Sequence, residues 1–353
     1  LLLTIGVIMV LSSSFARAYA QGKSPTYYFV RQAAFAVAGV VAMILLSKVR
    51  MATYRRLSLL VLGVSIFLLA VVWIPHIGTR VNGARRWLSL GFTTFQPSEI
   101  AKIAVVLFFS SMICTYKEQM QTFRYGVVPF MVVTVIIVGL LMLEPHLSAS
   151  IIIMALAIVM MFVGGIKLSY LLVGMGSAGA LLLIASKFVP YVHKRIVSWR
   201  DPFADTSAAG YQIVQSLYSI GSGGFLGLGL GQSRQKYLYL PEEHNDFIFA
   251  IVCEELGLIG ATVIMLLFAA LILRGFWIAL HARDRFGSLM VVGITTLVGL
   301  QTFLNIGVVT GLLPTTGISL PFFSYGGTAL SIQLAEMGIV LSVSRQMKPT
   351  KAG

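Results

Sequence analysis

About ten apolar runs of about 18–25 residues recur along this 353-residue chain, each long enough to cross ~30 Å of hydrocarbon as a helix. Inside a bilayer every backbone N–H and C=O needs an internal partner, so such runs must fold as helices. They fall at about 1–17, 28–48, 57–75, 98–115, 126–143, 147–164, 169–189, 247–273, 287–310 and 319–343. Only 11% of the residues are charged and 58% are hydrophobic, where a soluble domain carries roughly a quarter charged. The expected fold is all-α and polytopic, with about ten transmembrane helices. One large loop, about 190–246, lies before helix eight. No polar block is long enough to fold alone, so residues 1–353 read as one transmembrane domain. The chain opens inside an apolar run without methionine, which reads as a missing short amino-terminal tail. Ala18-Tyr19-Ala20 would suit a signal peptidase, but the later spans and the lack of a basic n-region argue against cleavage.

The formal net charge of +14 would suggest nucleic acid for a soluble chain. Here the basic residues occupy short loops between spans, so anionic lipids or lipid-linked phosphates are the expected partners, and nucleic acid is not. An even number of spans puts both termini on one side, taken as the cytoplasm. Cations are then as frequent outside as inside, so the positive-inside bias is absent. Keeping Arg85, Arg86, Arg195, Arg200, Arg234 and Lys236 outside points to an anionic ligand there, with lipid headgroups as the plainer alternative. Cys114 and Cys253 fall in apolar runs and read as buried free thiols. His76, His146, His193, His244 and His281 are scattered without zinc-site spacing. No Walker motif marks ATP-driven transport.

Four segments carry the chemistry. In PEEHNDFIFAIVCEELG (241–257) Asp246 stands at the mouth of the eighth span, with Glu254 and Glu255 about two turns further in. Ionisable groups at that depth are costly and mark sites or substrate paths. Asp246 suits a helix cap and equally a base, roles that are compatible; Glu254 and Glu255 read first as structural, paired or protonated. In FQPSEIAK (95–102) Pro97 opens the fourth span, and Glu99 and Lys102 share a helix face and can pair. Arg85 and Arg86, beside Trp87, offer guanidinium forks to a pyrophosphate, and Lys236 adds to that positive field. The linker 311–328, with two prolines and four glycines in an apolar stretch, cannot be a regular helix; Ser324, Gly326 and Gly327 are its candidate substrate contacts. The Gly-rich GSGGFLGLGLGQS (221–233) is either a flexible linker or a surface for close approach.

NGARRW (82–87), FQPSEIAK (95–102), SRQKYLYLPEEHNDFIFAIVCEELG (233–257) and TGLLPTTGISLPFFSYGGTAL (310–330) together resemble the SEDS family of peptidoglycan polymerases. This is the group of FtsW, RodA and SpoVE, and the last motif is worded most like FtsW or SpoVE. One departure is EPHLSAS (144–150), where many members carry a QPD-L-G-type sequence. The resemblance implies a ten-helix bundle in the bacterial cytoplasmic membrane whose active site faces the extracytoplasmic side. It implies polymerisation of lipid II into a nascent glycan strand, with Asp246 at the position of the aspartate regarded as catalytic. The implied partners are a class B penicillin-binding protein and other divisome or elongasome membrane proteins.

That chemistry suits the residues. One carboxylate can take the proton of an attacking sugar hydroxyl. A polyprenyl pyrophosphate leaves as an anion, so cations replace the second carboxyl group that hydrolytic glycosidases need. Arg85, Arg86, Lys102 and Lys236 are the expected cations, with a divalent ion (Mg or Mn) as a further candidate. The main alternative is a lipid II flippase or transporter, which would need a polar route to both faces of the membrane. A non-catalytic scaffold would leave the outer cations unexplained.

Overall fold

The computed structural model describes the chain except residues 75–77, 82–83, 90, 92, 189, 205–207 and 348–353. At 80, 81, 84, 178, 181–186, 188, 190–192, 208 and 209 it describes the backbone only. His76 and the Asn82-Gly83 pair of NGARRW therefore lie outside the described residues.

The elements are overwhelmingly helical. In order they are α1 (Leu2–Ala20), α2 (Tyr27–Leu46), α3 (Met51–Val72), β1 (Gly78–Val81), β2 (Ala84–Ser89), β3 (Thr94–Phe95), α4 (Pro97–Tyr116), α5 (Val128–Leu143) and α6 (Leu147–Gly164). There follow α7 (Leu168–Phe188), α8 (Pro190–Arg200), α9 (Ala208–Gly223), α10 (Ile248–Leu280), α11 (Arg285–Val309) and α12 (Gly327–Arg345). Among the described residues nine helices are long and apolar enough to span a membrane, and α7 adds the shorter apolar stretch Leu168–Ser177. The span pattern in the sequence is thus met. The outer loops differ from expectation: 76–97 carries a three-stranded antiparallel sheet in the order β1-β2-β3, and 190–246 contains α8 and α9.

Several hydroxyls within the spans are satisfied by their own helix. Ser14, Ser110 and Thr134 donate to the carbonyls of Val10, Val106 and Phe130, four residues back. A hydroxyl bonded to its own helix adds no unmet polar group to the bilayer.

The chain forms two compact units, each discontinuous in sequence. One comprises Leu1–Val37, Ser177–Leu271 and Gly299–Leu330. Here α8 packs on α9, and this pair holds the linker after α11: Trp199 Nε1 donates to Gly311 O at 2.9 Å and Ser216 Oγ to Val309 O at 2.7 Å. The other comprises Ala38–Gly176, Ile272–Val298 and Ser331–Gly353. In it α3 packs on α4 and α5, and α6 on α4 and α5. Gly39 and Gly338 let α2 and α12 approach closely: a Cβ at Gly338 would stand 2.6 Å from Met43 O.

Candidate functional site

In the first unit α10 is not one continuous helix. Gly257 adopts φ 65° and ψ −171°, a conformation open to glycine, and interrupts the hydrogen-bond ladder. The carbonyls of Glu254 and Glu255 would otherwise bond the N–H groups of Leu258 and Ile259. They accept instead from Leu228 N (2.9 Å) and Gly229 N (3.0 Å), while Leu258 N and Ile259 N donate to Gly224 O (2.9 Å) and Phe225 O (3.2 Å). The Gly-rich segment therefore inserts into the break, and its close approach is to the chain's own backbone. A Cβ at Gly227 would lie 2.2 Å from Glu255 O, and one at Gly257 would lie 2.3 Å from Gly227 N.

Two carboxylates lock this insertion. Glu254, 1% exposed, accepts from the hydroxyls of Ser219, Ser222 and Ser233 and from the N–H groups of Arg234 and Gln235. Glu255, also 1% exposed, accepts from Ser12 Oγ (2.6 and 2.7 Å), Ser233 N (3.3 Å) and Lys236 Nζ (3.1 Å). The structural role expected for both acids is what their contacts describe.

Asp246 lies in the turn immediately ahead of Ile248, the first residue of α10, and is partly exposed. Three consecutive carbonyls of this turn are bound. His244 O accepts from Tyr325 N at 2.8 Å, Asn245 O from Ser324 Oγ at 2.8 Å, and Asp246 O from Asn305 Nδ2 at 2.7 Å. Ser324 and Tyr325 belong to the linker, which Gln32 on α2 grips in turn: its Nε2 donates to Ser324 O (3.1 Å) and its Oε1 accepts from Gly326 N (3.2 Å). Tyr325 also packs edge-on against Tyr28 at 5.0 Å and tilted against His244 at 5.6 Å. Burial raises the Tyr325 phenol above its usual range, against the opposing charge of Arg31. Gly327 is a packing glycine, since a Cβ there would meet the Phe35 ring at 2.1 Å.

The second unit gathers a different polar cluster. Arg86 on β2 donates from Nε to Glu144 O at 3.3 Å and from Nη2 to Pro145 O, clasping the turn between α5 and α6. Arg85, its neighbour on the strand, pairs with Arg80 of β1, and the pairing register shifts at Arg86, which is the extra residue of β2. Lys102 pairs with Glu99 at 2.8 and 2.9 Å, one turn apart on α4. His146 Nε2 stands 3.3 Å from Gln96 Nε2. The Glu144 carboxyl is buried, and neither of its oxygens has a hydrogen-bond partner among the described residues. Burial pushes it up to about 8, only partly offset by Arg86. Burial, then Arg86 and Lys102, push His146 down to about 3. At neutral pH both side chains are therefore uncharged.

The candidates named from the sequence thus divide. Asp246, Lys236, Ser324, Gly326 and Gly327 belong to one unit; Arg85, Arg86, Glu99 and Lys102 belong to the other. Three of the expected substrate contacts carry internal duties. The Lys236 ammonium is 3% exposed and binds Glu255 and Gly231 O, so its charge is neutralised inside the protein. The Ser324 hydroxyl accepts from Leu320 N as well as donating to Asn245 O. Arg86 commits one edge of its fork to main-chain carbonyls, so the adjacent guanidiniums do not form one double fork. Gln32 and Asn305 were invisible in the sequence: each is one neutral amide in an apolar run, and only tertiary contact reveals what it binds. Among the described residues no three His, Cys, Asp or Glu side chains group to hold a metal ion.

Comparison with known proteins bears on what this arrangement serves. The family model for cell cycle proteins of the FtsW, RodA and SpoVE type matches residues 1–349. The chain belongs to this family. Among members of the FtsW/RodA/SpoVE family, it is 43% identical over 349 residues to stage V sporulation protein E of Bacillus subtilis, covering 98% of this chain and 94% of the relative. It is 39% identical over 345 residues to a probable peptidoglycan glycosyltransferase FtsW of Geobacter metallireducens, covering 98% and 92%. A chain from a solved peptidoglycan synthase complex, described as coordinating polymerisation and crosslinking, superposes with a TM-score of 0.79 at 29% identity, covering 97% of this chain and 96% of that one. The FtsW/RodA/SpoVE fold and the multi-pass membrane character of this chain follow from these matches and from its spans.

Proposed function

We propose that the chain is a peptidoglycan glycosyltransferase that polymerises lipid II into glycan strands at the outer face of the cytoplasmic membrane, with Asp246 as general base. One observation carries the reading of the site. Of the acids between 241 and 257, Glu243, Glu254 and Glu255 are 1% exposed, while Glu242 and Asp246 are partly exposed. Asp246 is partly exposed on a turn whose carbonyls are fixed. A base needs access to its substrate and a fixed position, and Asp246 combines the two.

The reaction balances with one carboxylate. The sugar 4-hydroxyl of one lipid-linked disaccharide attacks the anomeric carbon of the other chain, and its proton passes to Asp246. The new C–O bond forms as the bond from the anomeric carbon to the diphosphate oxygen breaks. Polyprenyl diphosphate departs as an anion, so no acid need protonate it. Attack from the face opposite the diphosphate inverts the linkage from α to β. Arg85 and Arg86 are the proposed diphosphate ligands, as fork donors suited to phosphate oxygens. A divalent cation, Mg or Mn, would add to the positive charge that meets the departing diphosphate. A class B penicillin-binding protein is the proposed partner, supported by the likeness to a chain of a peptidoglycan synthase complex.

The test is polymerisation of purified lipid II by the full chain with its penicillin-binding partner. Asp246→Asn should lower turnover by about a hundredfold or more while lipid II binding and folding persist. Full activity in that variant rejects Asp246 as the base. Movement of labelled lipid II across vesicles without any strand product would replace the polymerase reading with the flippase one.

A further inference from the structure

Three backbone carbonyls in a row, at 244, 245 and 246, each accept a hydrogen bond from α11 or the linker that follows it. Two of the three donors are side chains. Asn305 on α11 is 1% exposed, and both hydrogens of its amide nitrogen are used, at 2.7 Å on Asp246 O and 2.7 Å on Ile318 O. It thereby ties the Asp246 turn to the linker at a second point. Ser324 Oγ relays between Leu320 N (2.7 Å) and Asn245 O (2.8 Å). Gln32, 0% exposed, holds the linker on its far side by matching an acceptor and a donor at Ser324 O and Gly326 N, so a flipped amide would oppose like to like. The turn is short of regular structure and Glu242 within it has a left-handed φ of 58°, so its shape depends on outside contacts.

We infer that Asn305 and Ser324 are positioning residues for the glycosyl transfer: they fix the main chain beneath Asp246 and so aim its carboxylate at the attacking hydroxyl. The inference rests on Asp246 being the base. Neither side chain touches substrate in this role; each acts on the carbonyl row, and Gln32 anchors the linker that carries Ser324. A carboxylate displaced by about 1 Å loses about a hundredfold in rate, whereas substrate held elsewhere binds as before. The signature is therefore a fall in kcat with KM retained.

The experiment measures lipid II polymerisation by the full chain with its partner, together with lipid II binding and thermal unfolding. Asn305→Leu keeps the volume and removes both bonds; kcat should fall about tenfold to a hundredfold while KM stays within about threefold. Should that variant fail to fold, the isosteric pair Ser324→Thr and Ser324→Val decides, since the two share any steric strain and differ only in the hydroxyl. The threonine form should be at least about tenfold more active at equal folded amount. Equal activity of the pair, an unchanged kcat in Asn305→Leu, or activity that falls only in step with lost folded protein overturns the inference. If Asp246→Asn is inactive while Asn305→Leu is fully active, positioning fails and the base assignment stands. If Asp246→Asn is active, the base assignment fails and takes this inference with it.

Discussion

Removing the Lys236 ammonium should destabilise the protein, and how activity follows will separate two roles for that cation. The Lys236–Glu255 pair is 3.1 Å apart with side chains 3% and 0% exposed, so solvent does not screen it. At that distance the attraction is roughly 5 kcal/mol with an effective dielectric of 20. Lys236→Met leaves Glu255 buried without the cation, a change that costs about 3–5 kcal/mol. Ser12 Oγ and Ser233 N still donate to the carboxylate, which argues for the lower end, about 3 kcal/mol. Adding Glu255→Gln removes the stranded charge and keeps an acceptor for Ser12 and Ser233, so the double variant should recover about half or more of the loss. Thermal unfolding in detergent measures stability, and lipid II polymerisation at equal folded protein measures activity. Activity should return with stability in the double variant. A Lys236→Met protein that melts like the wild type yet cannot polymerise lipid II would refute the structural role and return Lys236 to the substrate.

Further outcomes follow from the same contacts. Gly257→Ala puts a Cβ 2.3 Å from Gly227 N and 2.6 Å from Phe225 O at a positive φ, so folded yield should drop sharply; Gly139→Ala, with nothing within 4 Å, should be close to neutral in the same expression and melting assay. Glu144 has a folded pKa of about 8, raised above its unfolded value. Its contribution to stability is full below about 4.3 and is lost as pH rises towards 8; Glu144→Gln should therefore melt higher than the wild type near pH 8.5 and about equally near pH 4.5. His146 is depressed to about 3, so its contribution is full above about 6.5 and is lost as pH falls. His146→Gln should flatten the acid limb of the melting-temperature profile, and an unchanged acid limb would contradict the burial of the ring.

The helices were legible because lipid imposes one rule, and the run lengths obey it from Leu2 to Arg345. Asp246 was legible because a carboxylate at a span entrance is rare enough to stand out, and the 311–328 linker because its prolines and glycines forbid a helix. The Gly-rich segment was only half legible. Its glycines announced a close approach, but nothing in the residues named α10 as the surface approached, since the break at Gly257 is one glycine in a strongly apolar run. Lys236 was read as an outward cation because it lies in a polar loop; the loop folds back, and proximity to Glu255 overrides that location. Adjacency makes Arg85 and Arg86 look like a joint fork, but Arg86 turns one edge of its guanidinium to the Glu144 and Pro145 carbonyls. Asn305 and Gln32 carry no pattern of their own, so their duties emerge only from contacts across long sequence separations.

The internal polar residues of the first unit follow a rule of matched polarity that explains why so many acids persist in an apolar chain. Irregular backbone within a membrane protein exposes donors and acceptors that water cannot reach. Where the inserted segment turns N–H groups inward, at Ser233, Arg234 and Gln235, carboxylates of Glu254 and Glu255 receive them. Where the Asp246 turn presents carbonyls, neutral donors from Asn305 and Ser324 receive those. Glu254 and Glu255 thus serve as a fixed solvent for the main chain, which accounts for their depth without assigning them to the reaction. Asp246 is set apart by its partial exposure on a turn whose carbonyls are bound by neutral donors. A neutral clamp on the main chain holds the proposed base still without setting another charge beside it. Replacing the Asn305 amide with a carboxylate, Asn305→Asp, should therefore damage turnover more than Asn305→Leu, because it sets an acceptor against two carbonyls and a second negative charge beside Asp246. Polymerisation rates ranked the other way round would mean that the amide merely fills space.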